Sequence, residues 1–171
     1  MTIETSQPRA ALWDMDGTLL DSADYHWLAW REIVAGEGVD LTHERFLASF
    51  GQRNDTILRG WLGDDLAASE VARIGDAKEQ RYREFVRERG IVLLPGVERW
   101  LLRLRDAGWR QAIASAAPRA NVEAIVEALG IAEFFGAIAS AEDVQRGKPD
   151  PQVFLLAAER LGVPPARCVV L

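Results

Sequence analysis

The chain has 171 residues, 49% of them hydrophobic and 27% charged, with a formal net charge of −6 and a pI near 5.0. That is the profile of a folded domain, or of a core with a small insert, and not of a disordered chain. No Lys/Arg run can track a nucleic-acid backbone, no apolar run is long enough to span a bilayer, and the single cysteine, Cys168, excludes an internal disulfide and a multi-cysteine metal site. The opening MTIETSQPRA lacks a basic-then-apolar leader pattern, so a reducing cytoplasm is expected.

In chain order, Ala10 to Trp13 reads as a short buried strand that runs into Asp14, Met15, Asp16 and Gly17. A purely helical stretch follows. YHWLAWREIVAGEG is amphipathic and ends at glycine, THERFLASFG and NDTILRGWLG are two shorter helices, and LAASEVARIGDAKEQRYREFVRERG is a longer one. From about residue 93 the pattern changes. Pro95-Gly96 marks a turn before a helix with Val97, Trp100, Leu101 and Leu104 at helical spacing. WRQAIAS, GAIAS and RCVVL then read as strands, separated by the helices ANVEAIVEALG and PQVFLLAAERLG. Strands alternating with helices argue for parallel βαβ units, with near-continuous apolar strands covered on both faces. The expected architecture is α/β: a Rossmann-like parallel sheet core over 1–20 and 93–171, with an inserted helical-bundle cap over 21–92. Two short connections, near Asp21 to Ala23 and Ile91 to Gly96, would let that cap rock as a lid.

Residues i and i+2 of an extended chain point the same way, so Asp14 and Asp16 should leave the strand end on one face. Two adjacent acids disfavour each other's ionisation, and a bound cation would relieve that. Ligands gather at the carboxyl ends of strands in open α/β sheets, and Ser115 and Lys148 fall at or beyond two further strand ends. Two acids, a hydroxyl and a fixed ammonium are the inventory of phosphoryl transfer. One carboxylate would attack phosphorus, the other would move protons, and Mg²⁺ would screen the acids from the phosphate. Each residue also has an ordinary reading: Asp16-Gly17 as a turn, Asp14 or Ser115 as a helix cap, Lys148 as a surface charge. An EF-hand loop is excluded because the glycine comes two residues early and Tyr25 stands where the closing Glu belongs. The strand order of the four residues favours the site.

DMDGTLLDS, AIASA and GKPDP, in this order, resemble the first three motifs of the haloacid dehalogenase superfamily, most members of which are phosphatases. The chain is most similar to the branch with a helical cap after the first motif, which includes β-phosphoglucomutase and many sugar-phosphate phosphatases. The resemblance covers about Leu12 to Leu171. It implies that Asp14 is the nucleophile and Asp16 the acid/base, that Asp14 and the Asp16 carbonyl ligate Mg²⁺, and that Ser115 and Lys148 bind the phosphoryl group. It also adds Ala116, beside Ser115, to the substrate-binding positions. The family's fourth motif, an acidic pair after the next strand, would fall beyond CVVL. The chain is therefore expected to be truncated before those metal ligands. The CVVL run should lie beside the first strand and form a sheet edge, with weakened stability and some aggregation.

In the helical region, Val71, Ile74, Lys78, Tyr82 and Phe85 share one helix face, with Lys78 in the middle of an apolar stripe. It could snorkel, or point into the cleft toward an anionic substrate. Arg53 in GQRND could hold a second phosphate in bidentate fashion, or be a surface arginine. His26 beside the first hinge could serve substrate or pack; Trp27 and Trp30 read as packing residues. YHWLAW, GQRND and AKEQRY resemble cap segments of β-phosphoglucomutases in which the matching His, Arg and Lys serve substrate. The expected partner is a small phosphorylated metabolite such as a sugar phosphate, with no nucleic acid and no membrane. Three activities follow: a Mg²⁺-dependent phosphatase, a β-phosphoglucomutase, or a non-catalytic phosphate-binding fragment.

Overall fold

The computed structural model describes residues 8–171; the reading of residues 1–7 lies outside them. Four strands, β1 (Ala10–Trp13), β2 (Arg110–Ala114), β3 (Ala137–Ala139) and β4 (Cys168–Val170), form one parallel sheet in the order β3-β2-β1-β4. Strand β1 is central and entirely buried, with Leu12 opposite Ala112 on one side and Val170 on the other. Its alternating side chains divide between two layers. Ala11 and Trp13 join Val97 and Leu101 of α5 (Val97–Asp106) and Val122 and Ile125 of α6 (Arg119–Leu129). Ala10 and Leu12 join Val153, Ala157 and Leu161 of α7 (Gln152–Leu161), where a run of alanines lets that helix lie close to the sheet.

Between β1 and α5 lie α1 (Ala23–Ala35), α2 (His43–Leu47), α3 (Asn54–Leu62) and α4 (Ala68–Arg89). They enclose a second core of Trp30, Val34, Leu41, Phe46, Ile57, Leu58 and Ile74. The lower halves of α1 and α4, through Ala29, Tyr82, Phe85 and Val86, belong instead to the sheet's core. The two connecting segments are stitched together. Leu20 bridges Leu93 antiparallel, and the Leu94 amide donates to the Leu19 carbonyl at 2.9 Å.

Three elements differ from the sequence reading. THERFLASFG yields only a five-residue helix, started by the Thr42 hydroxyl accepting from the Arg45 amide. Trp100 is 51% exposed, because α5 buries only a narrow stripe centred on Val97 and Leu101. Strand β4 does pair with β1 and form an edge, but Val169 and Val170 are 43% and 55% exposed, so its side chains are buried far less than expected.

Candidate active site

Strand β1 delivers Asp14 one residue beyond its last member, where the Asp14 amide still donates to the Leu171 carbonyl. Met15 turns into the core and is fully buried, which leaves Asp14 and Asp16 on the rim. Gly17 then takes φ +78°, a left-handed conformation in which a side chain is strained, and its amide closes onto the Leu20 carbonyl at 2.8 Å.

The two acids have separate partners. Asp14 Oδ1 lies 2.6 Å from Lys148 Nζ and accepts from the Met15 amide at 2.7 Å. Asp16 Oδ1 accepts from the Ser22 hydroxyl at 2.5 Å and lies 3.4 Å from His26 Nε2. Burial would push the Asp16 carboxyl up. The bond and charge of His26, the Ser22 bond and the Lys78 charge outweigh it and hold the group below its ordinary value. The repulsion anticipated between the acids is thus met by protein donors on each side.

Ser115 follows β2 directly and is buried, its Oγ accepting from the Ala117 amide at 3.0 Å. It is not the cap of α6, which starts at Arg119 behind Pro118. Lys148 stands in the loop after β3. That loop begins with Ser140, whose hydroxyl and amide both reach Asp143 Oδ2 at 2.8 Å. Arg160 and Arg119 clamp Asp143 from two helices at 2.7 Å each. The Arg160 hydrogen bond is the largest of several effects that hold the Asp143 carboxyl far below its usual range. Asp143 was not singled out in the sequence, although the Ser140-to-Asp143 spacing is that of a capping box.

Above the rim, His26 Nδ1 lies 2.8 Å from Lys78 Nζ, and Lys78 Nζ lies 2.9 Å from Glu79 Oε1. Glu79 also accepts from Asn54 at 2.7 Å and from Asn121 of α6 at 2.5 Å. Lys78 is 2% exposed, so it does not snorkel. Trp30 packs, as read, but its ring also stands 5.0 Å from Lys78 Nζ and lines the cavity. That cavity, about 40 Å³, lies between the helical block and the rim and brings together Asp16, His26, Lys78, Glu79 and Ala116. Arg53 is not among its lining residues. Its Nη1 donates to the Ala141 and Val144 carbonyls at 3.0 Å each, which fastens the helical block to the loop that carries Lys148. Ser22, Asn54, Glu79 and Asn121 escaped the sequence reading. Ser22, Asn54 and Glu79 stand inside the runs DMDGTLLDS, GQRND and AKEQRY, whereas Asn121 lies in none of them.

Among the described residues no group of three or more His, Cys, Asp or Glu could hold a metal ion. The rim offers oxygen donors only: the partly exposed Asp14 carboxylate and the Asp16 carbonyl, which accepts no backbone hydrogen bond in the turn. An all-oxygen set of one or two protein groups, completed by substrate and water, fits Mg²⁺.

An α/β sheet with acids at its rim and a helical block above them defines a phosphoryl-transfer class of enzyme, and comparison with known proteins agrees. The family described as haloacid dehalogenase-like hydrolase matches residues 8–171, and the chain belongs to it. It is 33% identical over 170 residues to the protein CbbY of Rhodobacter capsulatus, covering 94% of this chain and 75% of that one. It is 36% identical over 178 residues to a phosphoglycolate phosphatase of Shigella boydii, covering 92% and 70%. A crystal structure of β-phosphoglucomutase from Clostridium difficile superposes with a TM-score of 0.86 at 27% identity, covering 96% and 75%. CbbY of Rhodobacter sphaeroides, solved with xylulose-(1,5)bisphosphate, superposes with a TM-score of 0.83 at 31% identity, covering 96% and 77%. The protein is an enzyme of the phosphatase or phosphomutase kind. No helix among the described residues is long and apolar enough to cross a membrane.

Proposed function

We propose that the chain is a Mg²⁺-dependent phosphatase of small phosphorylated metabolites, sugar phosphates among them, working through an aspartyl-phosphate, with residues 21–92 acting as a cap over a core formed by the rest. The observation that carries this reading is the pair Asp14 and Lys148, in contact at 2.6 Å beside Asp16 at the rim of the sheet. Lys148 neutralises the nucleophile in the resting site and is in reach of phosphoryl oxygens once substrate enters. The Asp14 carboxylate attacks phosphorus as the bond to the leaving oxygen breaks, and that oxygen takes a proton through Asp16, which draws it from the monoanionic phosphate ester. Water then attacks the acyl phosphate, Asp16 takes its proton, and inorganic phosphate leaves. The depressed Asp16 carboxyl suits this second step, in which it acts as a base. Ser115 and the neighbouring backbone hold phosphoryl oxygens. Asp14 and the Asp16 carbonyl would hold Mg²⁺, which supplies charge neutralisation between the acids and the phosphate.

Phosphate release from a panel of sugar phosphates, with the acyl phosphate trapped by hydroxylamine, tests this. Asp14→Asn should lower the rate by about 10⁴-fold or more, the scale for loss of a nucleophile, and EDTA should abolish turnover. Undiminished release by Asp14→Asn would refute it. The contact of Lys78 with His26, both facing the cavity, supports a second reading as β-phosphoglucomutase. Given β-glucose 1-phosphate and a trace of the bisphosphate, a mutase yields glucose 6-phosphate and a phosphatase yields free phosphate.

A further inference from the structure

We propose that Phe154 is a positioning residue for Lys148: its ring is a platform across which the ammonium moves from Asp14 to the phosphoryl group without leaving the site. This deepens the phosphatase reading above and rests on it. Of the 20 lysine and arginine residues only Lys78 and Lys148 are lysines, and both stand over aromatic rings. Lys148 Nζ lies 2.6 Å from Asp14 Oδ1 and 4.9 Å from the centre of the Phe154 ring. That is within the distance at which an aromatic face attracts a cation. Among the described residues, Asp14 and this ring are what hold the ammonium. Beside it an opening of about 330 Å³, lined by Arg53, Thr56, Gly147, Lys148 and Pro149, leaves room for the stem to swing out. The ring is therefore the support that remains once Asp14 lets the ammonium go.

The platform is fastened from both sides. Phe154 stands in the first turn of α7, half-buried, and packs against the core layer of Val153, Ala157 and Leu161. Two residues earlier, Gln152 Oε1 accepts from the amides of Gln145 and Arg146 at 3.1 and 2.9 Å. The Asp150 amide donates to the Gly147 carbonyl at 3.1 Å. The loop that carries Lys148 is thus tied to the helix that carries the ring. The chemistry asks for such a support. As the aspartyl-phosphate forms, Asp14 gives up its carboxylate charge, and Lys148 must turn to the phosphoryl oxygens. A second carboxylate would hold the ammonium back, and a carbonyl would fix its direction. A ring face has no lone pair to aim at, and its attraction spreads over the quadrupole, so a small displacement costs little. The ring also keeps water from one side of the ammonium, which strengthens its hold on the phosphoryl oxygens.

A chain with trifluorinated phenylalanine at position 154 alone tests this, beside Phe154→Leu and Phe154→Tyr, because fluorine keeps the ring's shape and drains the negative charge from its face. Binding of inorganic phosphate in Mg²⁺, read by titration calorimetry, should weaken by about 3- to 10-fold in Phe154→Leu, by less in the fluorinated chain, and by under about twofold in Phe154→Tyr. The kcat/KM for p-nitrophenyl phosphate should fall in the same order. A purely structural role would lower stability without ranking the chains by the charge on the ring. With two lysines to read, isotope labelling of lysine resolves Lys148. Its ε-methylene protons should lie upfield of free lysine and return toward it in Phe154→Leu alone, with Lys78 unmoved. Phosphate affinity in the fluorinated chain equal to the parent's, or a loss in Phe154→Tyr as large as in Phe154→Leu, overturns the proposal. A Lys148 signal at the free-lysine position, or no phosphate binding at millimolar concentration, in the unmutated chain does so too. Should Phe154→Leu lack native circular dichroism, the fluorinated chain decides alone. The expected order of phosphate affinities combined with no phosphate release by the unmutated chain would remove the phosphatase reading and leave Phe154 as the support of an anion-binding lysine.

Discussion

Replacing Arg53 by alanine isolates the fastening between the helical block and the sheet. The guanidinium makes two 3.0 Å bonds to carbonyls 88 and 91 residues away in sequence, and its side chain is 26% exposed. Hydrogen bonds to a charged group contribute about 1.5–3 kcal/mol each. Both come from one nitrogen and are partly solvated, so about 3 kcal/mol for the pair is the working figure. The ion pair to Asp55 adds little, because that carboxylate is 49% exposed. A loss of about 3 kcal/mol changes the ratio of closed to open forms by about 10². Hydrogen exchange should therefore quicken in segments 50–56 and 141–148, and kcat/KM should fall by about 10- to 100-fold while global stability changes little. Arg53→Lys should recover less than half of the effect, since the shorter side chain ends its ammonium short of the Nη1 position from which both bonds are made. Unchanged exchange in both segments with kcat/KM within about threefold of the parent would refute the argument. A loss confined to bisphosphate binding would show that Arg53 holds a second phosphate instead.

Three further perturbations follow from the same contacts. A Cβ at Gly147 would stand 2.6 Å from Arg53 Cδ and 2.9 Å from Cγ, so Gly147→Ala should displace that side chain and reproduce the exchange pattern of Arg53→Ala in weaker form. Asp143 is held below its ordinary 3.8 by Arg160 first, so its folded form binds protons less readily than the unfolded chain. Its contribution is therefore complete above about pH 4 and lost as the pH falls through and below that value. Asp143→Asn should cost about 2 kcal/mol near neutrality, and urea melts should show the gap closing on acidification and not on raising the pH. Among the described residues the Tyr82 hydroxyl is buried and finds no hydrogen-bond partner. Tyr82→Phe keeps the stacking on His26 at 4.0 Å, and denaturant melts should show stability unchanged or raised by up to about 1 kcal/mol.

The sheet was legible because its strands are short apolar runs between glycine-rich stops, and because helix and strand periods alternate cleanly after residue 93. Asp14 and Ser115 could be picked out since each lies just past a strand end, a position that a local pattern reveals, and Lys148 because the GKPDP run marks it in the loop beyond β3. Trp100 and the two valines of β4 were misjudged for one reason. Apolar character says that a side chain can be buried, not that a neighbour exists to cover it. Arg53 reads in the sequence as a holder of a second phosphate or a surface arginine; its partners are backbone carbonyls, which leave no mark in a sequence. Glu79 is harder still. It follows Lys78 directly, and adjacent positions on a helix do not face each other, so nothing local pairs them. Its remaining partners, Asn54 and Asn121, are 25 and 42 residues away and meet it only once three helices have packed.

That packing gives the buried pair its sense. A lysine and a glutamate removed from water are costly unless every lone pair and proton is matched, and an apolar pair of equal volume would often be at least as stable. Burial pushes the Glu79 carboxyl up, yet the charges of Lys78 and His26 and the bonds from Lys78 and Asn54 leave it below its ordinary value, hence ionised. One of its oxygens serves Lys78 and Asn54 in the helical block, and the other takes its bond from Asn121 on the sheet side, which Arg83 in turn holds at 2.7 Å. Lifting the block would strip Glu79 of Asn121 and part His26 from Asp16. Lys78 and Glu79 are neighbours on α4, so that pair would travel with the block and leave the rim acid behind. The electrostatic surroundings of the rim acid and the position of the helices above it are therefore one equilibrium. An enzyme arranged in this way has its Asp16 environment complete only when the helical block is down.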